Sequence, residues 1–161
     1  YQVMNLLVKY NVLENPKEYV SFIHKLWFFD IKYGEQIFKG IQPRDSDDDE
    51  FADVCLELFP NTIVTYNFVR QSPFRQEEPN FIHSDEMMGD ITCILYLNEF
   101  HPANDGTIFY NDKDEVSVEV RAEFNKMIAF DADVKHSRAI FDNYGIDKQS
   151  RLIQVIFLKK L

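Results

Sequence analysis

The spacing of apolar residues changes near residue 60, and the first part of the chain carries a helical period. Between residues 16 and 39, apolar side chains recur at intervals of three and four, which predicts an amphipathic helix. Pro16 suits the first turn of this helix, and Gly40 suits its end. The acidic run RDSDDDEF predicts a solvated loop whose Ser or Asp residues cap a second helix over 48–59.

Beyond residue 61 the apolar residues alternate with polar ones or form short runs rich in β-branched and aromatic side chains, which is typical of strands. Turn residues separate these runs at intervals of roughly eight to twelve residues, so about eight strands and a β-sandwich or barrel are favoured. We therefore predict a single domain over 1–161, mainly β with N-terminal helices, with a helical support region at 1–60 and the β core at 61–161. The predicted strands are TIVTYNFVR, DITCILYLN, TIFYN, VSVEVRA, KMIAFDAD, HSRAIF and RLIQVIFLKK.

Composition and charge exclude several classes of protein. Apolar residues make up 45% of the 161 residues, which indicates a globular chain. The net charge of −10 makes general nucleic-acid binding unlikely, because phosphate recognition needs a basic surface. No run approaches the roughly 18 apolar residues of a membrane span, so no membrane partner is expected. The two cysteines, Cys55 and Cys93, lie in apolar surroundings and predict buried free thiols in a reducing, cytoplasmic setting.

The segment NFIHSDEMMGD places a histidine and a carboxylate just before an apolar strand. On an extended chain His83 and Asp85 point to the same face, and Ser84 points away. His136 begins another predicted strand and is the candidate third ligand, since His24 and His101 fit packing and turn positions. Two histidines and one carboxylate form the facial ligand set of non-haem Fe(II) oxygenases. The alternative is ordinary loop polarity ahead of a strand.

Two further polar residues lie within apolar strands. Arg151 opens the last predicted strand, where it needs either a carboxylate partner or an exit to solvent. Tyr96 lies inside ILYLN and is either a core residue with a satisfied hydroxyl or a second donor to the same carboxylate. The sequence leaves both alternatives open.

In this order the motifs resemble those of the 2-oxoglutarate and Fe(II)-dependent dioxygenases, and most closely the prolyl-4-hydroxylase-like branch. The motifs that carry the resemblance are VTYNFV, HSD, CILYLN, NDGTIFY, a distal histidine and an arginine on the last strand, together spanning roughly residues 62–159. The resemblance implies a double-stranded β-helix, also called a jelly roll or cupin-like fold.

The resemblance also implies roles for six residues. His83, Asp85 and His136 would hold Fe(II), and Arg151 with Tyr96 would bind the distal carboxylate of 2-oxoglutarate. Tyr66 matches a family tyrosine near the co-substrate. The expected reaction uses O2 to hydroxylate a protein or peptide side chain or a small molecule, and it releases succinate and CO2.

The sequence departs from the family pattern in two places. The segment between His136 and Arg151 is longer than is usual in this branch, which leaves Arg138 as a second, poorer candidate for the co-substrate arginine. Asp105 stands where the family has the first glycine of a GG turn, and only Gly106 is kept. Two other classes stay open: a jelly roll that binds without catalysis, and a cupin-type metalloenzyme that does not use 2-oxoglutarate.

Overall fold

The computed structural model describes residues 5–78, 81–140 and 142–161. Within these ranges the chain forms ten strands and two α-helices. The elements are β1 Leu6–Lys9, α1 Pro16–His24, β2 Phe29–Tyr33, β3 Gln36–Pro43, α2 Glu50–Leu58, β4 Thr62–Ser72, β5 Ile91–Tyr96, β6 Gly106–Tyr110, β7 Val116–Arg121, β8 Lys126–Asp131, β9 His136–Arg138 and β10 Arg151–Lys160.

The strands form two antiparallel sheets. The larger sheet has the order β1-β8-β5-β10-β4-β3-β2, and the smaller one has the order β7-β6-β9. This mainly β architecture is a jelly roll, so the predicted fold class is confirmed. The predicted strands from residue 62 onward are present, although β9 ends at Arg138 and Phe141 of the segment HSRAIF lies outside the described residues.

Two apolar cores flank the larger sheet. One core joins the sheet to the helices and includes Ile23, Phe51 and the free thiols of Cys55 and Cys93, which are buried as predicted. The other core fills the interior that the smaller sheet covers, with Phe109 and Phe130 among its members. In the part of the chain that the structure describes, no helix is long and apolar enough to cross a membrane.

The helix predicted over 16–39 is wrong in its second half. The helix α1 ends at His24, and a β-hairpin of β2 and β3 follows it. The segment FDIKY alternates between apolar and charged residues, which is a strand period. Gly34 has a φ of +63° and opens the two-residue loop of the hairpin, where the backbone needs a left-handed conformation.

Gly40 lies inside β3, so the prediction that it ends the first helix is wrong. Its φ is +71°, and a β-carbon there would lie 2.1 Å from the carbonyl oxygen of Gln71 on the neighbouring β4. The glycine therefore allows the two backbones to approach closely. The extra strands β1, β2 and β3 in the first 60 residues belong to the same sheet as β4, β5, β8 and β10, while the single-domain division stays a prediction.

The second helix is confirmed over most of its predicted length, but the acidic run before it is not wholly solvated. Asp49 is buried and accepts hydrogen bonds from Tyr19 Oη at 2.6 Å, Gln154 Nε2 at 2.8 Å and Asn67 Nδ2 at 2.9 Å. Arg44 lies 3.6 Å away and supplies the opposite charge. Asp49 thus ties the helices to β4 and β10, since a buried carboxylate needs such partners.

Candidate metal centre

The distal histidine meets the HxD segment through the backbone. His83 and His136 face each other in an isolated antiparallel bridge, and each N–H donates to the other's carbonyl, at 3.0 and 2.8 Å. The two imidazole rings consequently lie 4.4 Å apart between centroids. Residues far apart in the sequence are brought together because β9 begins beside the segment that leads into β5.

Asp85 completes this group, which we call the His-Asp-His cluster (His83, Asp85, His136). Its Oδ1 lies 3.4 Å from His83 Nε2, and its Oδ2 lies 3.1 Å from His136 Nε2. One ligand atom from each residue lies within 4.8 Å of the other two. Thr92 on β5 donates to Oδ2 at 3.1 Å and so orients the carboxylate.

Both histidine rings are held with Nε2 directed at Asp85. His83 Nδ1 lies 3.1 Å from the Phe81 carbonyl oxygen, and His136 Nδ1 lies 2.9 Å from that of Val134. A carbonyl oxygen can only accept, so each Nδ1 carries a proton and each Nε2 of the neutral ring has a free lone pair. This backbone support is the arrangement that orients histidine ligands in metal sites.

The electrostatics of the cluster favour a cation. Burial alone would raise the pKa of the Asp85 carboxyl, but His136 and His83, which donate to it from Nε2 when their rings are protonated, outweigh burial and hold that pKa well below its usual range. The hydrogen bond to Asp85 also raises the pKa of His83. Asp85 is therefore ionised at neutral pH and can bind a divalent metal together with two imidazole nitrogens.

The surroundings of the cluster are asymmetric. His136 packs against Phe130, with ring centroids 4.8 Å apart, and its side chain is only 6% exposed. The His83 side chain is 40% exposed. One side of the cluster thus faces the apolar interior, and the other is open to solvent.

Arg151 lies at the start of β10, inside the barrel, and it is paired with an acid. Its Nε donates to Asp105 Oδ1 at 3.1 Å, and both side chains are buried. Among the residues that the structure describes, its two Nη groups make no hydrogen bond. A carboxylate partner for Arg151 thus exists within the chain itself, at the position where the resembling family has a glycine.

The second carboxylate oxygen of Asp105 is also occupied. Tyr144 Oη donates to Oδ2 at 2.7 Å, and His101 Nδ1 lies 2.8 Å from the same atom. The Asn98 N–H donates to His101 Nε2 at 3.1 Å, so the proton of this ring is on Nδ1 and is donated to Asp105. Burial would raise the pKa of Asp105, but the bond from His101 and the charge of Arg151 hold it well below its usual range.

Tyr96 is fully buried on β5 at the same end of the interior. Its hydroxyl shares a hydrogen bond of 2.7 Å with Thr107 Oγ1 on β6. Burial raises the pKa of Tyr96 well above its usual range, so the hydroxyl keeps its proton. The ring packs edge-on against His101, at 5.7 Å between centroids. The Tyr96 hydroxyl thus has a partner in Thr107 and adjoins the Arg151 pair, and its assignment to the co-substrate stays a prediction.

Two more arginines share this end, and we call the three the arginine cluster (Arg70, Arg138, Arg151). Arg70 Nη2 lies 3.0 Å from Glu78 Oε1, and Arg138 pairs with the other oxygen of Glu78. Burial, followed by the charge of Arg151, lowers the pKa of Arg138 to about 10. Arg138, the second candidate for the co-substrate arginine, is thus near Arg151 and is paired with Glu78.

The structure places Tyr66 away from the arginine cluster. Tyr66 pairs across the sheet with Phe157 at the other end of β10, six positions from Arg151, which is roughly 20 Å along an extended strand. Its side chain is 47% exposed and packs edge-on against Phe157. Phe157 in turn pairs with Thr92, so Tyr66, Phe157 and Thr92 form one row across the sheet. This row lies at the level of the His-Asp-His cluster. Its assignment to the co-substrate stays a prediction.

The sequence did not reveal Asp105, Glu78 and Arg70 as parts of the site. The only signal for Asp105 was its position in the GG turn, where a carboxylate replaces a glycine beside a buried arginine. The longer segment before Arg151 carried no signal of its own, yet it supplies Tyr144 to Asp105 and Asn143 to Arg138.

No protein-family model matches the sequence, and no curated protein matches it. Solved structures do match the fold. SnoN, a non-haem alpha-ketoglutarate-dependent epimerase from nogalamycin biosynthesis, has a TM-score of 0.71 at 12% identity, covering 98% of this chain and 78% of that one. A second structure of SnoN contains Fe3+, alpha-ketoglutarate and nogalamycin RO.

Two prolyl hydroxylases are also similar. The Pseudomonas putida prolyl-4-hydroxylase has a TM-score of 0.68 at 14% identity, covering 98% of this chain and 94% of that one. The Trichoplax adhaerens enzyme, solved with a peptide fragment of hypoxia inducible factor, has a TM-score of 0.64 at 13% identity, covering 96% and 83%. At such identities the likeness establishes the jelly-roll fold, and the chemistry has to be argued from the site.

Proposed function

We propose that this protein is an Fe(II)- and 2-oxoglutarate-dependent oxygenase. The observation that carries the proposal is the His-Asp-His cluster, in which two backbone-oriented Nε2 atoms and one ionised carboxylate converge. This donor set fits a divalent iron and leaves coordination positions for a co-substrate. With both groups bound, Fe(II) and 2-oxoglutarate supply the chemistry that adds one oxygen atom of O2 to a substrate C–H bond and releases succinate and CO2.

The charge balance of the arginine cluster supports 2-oxoglutarate as the co-substrate. In the described part of the chain, three guanidinium groups are paired with two carboxylates, Asp105 and Glu78. Glu78 is shared by Arg70 and Arg138, so this largely buried set has one positive charge more than it has acids, and a buried charge requires a partner. A distal carboxylate of 2-oxoglutarate would supply it at the Nη groups of Arg151. Asp105 would hold the guanidinium in place through Nε, and Tyr96 would border the pocket.

One observation favours a second candidate function, a cupin-type metalloenzyme that does not use 2-oxoglutarate. Arg151 already has an acidic partner in Asp105, so the arginine needs no co-substrate to be satisfied. The excess charge of the arginine cluster weighs against this alternative. A jelly roll that only binds is weakly supported, because it would have no use for two histidines held in ligand tautomers.

For the prime substrate, we propose a peptide side chain or a small molecule. The similar proteins include one solved with a peptide and one solved with nogalamycin RO. The open side of His83 gives either kind of molecule access to the cluster. The buried free thiols of Cys55 and Cys93 are consistent with the reducing, cytoplasmic location that we propose.

The experiment is an anaerobic titration. Fe(II) is added to the protein, followed by 2-oxoglutarate, and the visible absorption is recorded before O2 is admitted and succinate is measured. We expect an absorption band that needs both additions and is lost in His136→Ala. A wild-type protein that binds Fe(II) but shows no band and no change in metal affinity with 2-oxoglutarate would support the second candidate.

A further inference from the structure

The strand β2 ends the larger sheet, and its outer edge is unpaired among the strands that the structure describes. All five of its residues, Phe29–Tyr33, are exposed. Exposed edge strands present free N–H and C=O groups to any strand that can pair with them. Neither the His-Asp-His cluster nor the arginine cluster includes a residue of β2.

The side chains of β2 divide into an apolar face and a charged face. Phe29, Ile31 and Tyr33 point to one side, and Asp30 and Lys32 point to the other. Phe29 and Tyr33 are 54% and 66% exposed, and Trp27 just before the strand is 81% exposed. This is more aromatic surface than a strand facing water usually carries.

The hairpin determines which backbone groups are free. Tyr33 and Gln36 close a two-residue loop, and such a closing pair exchanges both hydrogen bonds. Because these bonds alternate along an antiparallel pair, Ile31 bonds inward to Phe38, and the N–H and C=O groups of Lys32 point outward. The register shifts between Phe29 and Ile31, and Asp30 has no partner on β3 there, so its N–H and C=O groups are also outside the hairpin ladder. Asp30 and Lys32 therefore offer the outer edge two donors and two acceptors.

We propose that β2 pairs with the β2 strand of a second copy of this chain, antiparallel and centred on Ile31. In this register Asp30 lies opposite Lys32 of the second copy, and Lys32 lies opposite its Asp30. Phe29 of each copy lies opposite Tyr33 of the other copy. The four outward backbone groups of each copy then pair completely, and the two larger sheets become one.

Charge complementarity is the argument for a second copy and for this register. A shift of the register by two residues in either direction keeps the hydrogen-bonding pattern but places Asp30 opposite Asp30, or Lys32 opposite Lys32. Like charges directly opposite each other are destabilising. Only the register centred on Ile31 matches both charges. Lysine on an edge strand usually prevents pairing, but here it has an acid two positions away that the symmetry brings opposite it.

The test measures molecular mass against protein concentration by sedimentation equilibrium. We expect the wild-type average mass to rise toward twice that of the chain. The variants Lys32→Asp and Asp30→Lys should each remain monomeric, because each places like charges opposite one another, and the double variant D30K/K32D should dimerise again. Lys113→Asp, at an exposed turn position, makes the same charge change as Lys32→Asp and should behave as wild type.

A cross-linking experiment tests the register. Ile31 faces Ile31 of the second copy in a non-hydrogen-bonded pair with Cα atoms about 4.5 Å apart, within the range that a disulfide spans. Ile31→Cys should therefore give a covalent dimer on mild oxidation. Tyr33→Cys, on the same face, should not, since the two introduced thiols lie roughly four strand positions apart.

Three results would overturn the proposal: a wild type that is monomeric at every concentration, single charge variants that still dimerise, or Tyr33→Cys cross-linking as readily as Ile31→Cys. Circular dichroism of each variant verifies that its fold is kept. The proposal is independent of the enzymatic function, so the same experiments apply to the metal-free and the metal-loaded protein.

Discussion

The two ends of the barrel interior are built differently. In the His-Asp-His cluster, one potential ligand atom from each of three residues lies within 4.8 Å of the other two. In the arginine cluster, each guanidinium already has an acid beside it, either Asp105 or Glu78. One end brings potential metal ligands together, and the other pairs its cations with acids of the chain itself. The difference separates residues that we propose to bind a metal from residues that also hold the fold together.

This difference predicts unequal consequences of mutation. Removing a residue from the His-Asp-His cluster should abolish metal binding and leave the fold largely intact. Removing an arginine from the arginine cluster should weaken co-substrate binding and also destabilise the fold, because a buried acid is left without its partner.

The largest expected effect is that of Asp85→Ala on metal binding. The variant loses the only carboxylate of the His-Asp-His cluster, so we expect Fe(II) or Mn(II) affinity to fall by more than about 100-fold, since even outer-shell changes cost 10–100-fold. Anaerobic calorimetric titration measures it. Asp133→Ala removes an exposed acid nearby and serves as the control. An unchanged affinity in Asp85→Ala would place the metal elsewhere.

The next effect is that of Arg151→Ala on stability. The substitution leaves Asp105 buried with one oxygen unpaired, so the free energy of unfolding should fall by about 3–5 kcal/mol. Urea denaturation measures this loss. The double variant R151A/D105A removes both charges and should recover part of the stability. If Arg151→Ala alone costs less than about 1 kcal/mol, the surface value for an ion pair, the pair is not the structural element described here.

A smaller effect is expected for Asp105→Asn on the co-substrate. The amide keeps the shape but loses the charge that holds Arg151 through Nε, so 2-oxoglutarate affinity should fall about tenfold with metal affinity unchanged. Calorimetry on the metal-loaded protein separates the two affinities. Tighter binding in the variant would show that Asp105 competes with the co-substrate for the arginine.

The smallest effect is the pH dependence of stability contributed by Asp105. Its pKa in the folded protein is depressed, so the unfolded chain takes up the proton more readily as the pH falls. The stabilising contribution is present above the ordinary pKa of about 4 and is lost as the pH falls through and below it. The difference in unfolding free energy between wild type and Asp105→Asn should therefore narrow between neutral pH and about pH 3.5. A constant difference would contradict the depressed pKa.

The sequence predicted the metal end far better than the arginine end. The HxD spacing is local and directional, because a strand sends alternate side chains to one face, and His136 had few rivals among four histidines. Asp105 and Glu78 meet the arginines only through the closed fold. No local pattern indicates which of 27 acidic residues is buried. For the same reason, the prediction that Asp49 lies in a solvated loop was wrong.

The N-terminal region shows the other limit of sequence reasoning. The apolar residues between 16 and 39 fit both a helical and an alternating period, and the helix prediction carried through the turn at Gly34. The tertiary context decided the outcome, since Gly40 must lie against the Gln71 carbonyl on β4. The exposed hairpin that results creates the edge on which the dimer proposal rests.

The central claim is that one metal ion and one 2-oxoglutarate molecule occupy the two ends of the same interior. The most direct measurement is an anaerobic crystal structure with Mn(II) and 2-oxoglutarate. We predict an ion bonded to His83, Asp85 and His136, with the distal carboxylate of 2-oxoglutarate on the Nη groups of Arg151 and Asp105 still on Nε. An ion bound away from the His-Asp-His cluster, or a carboxylate bound away from Arg151, would contradict it.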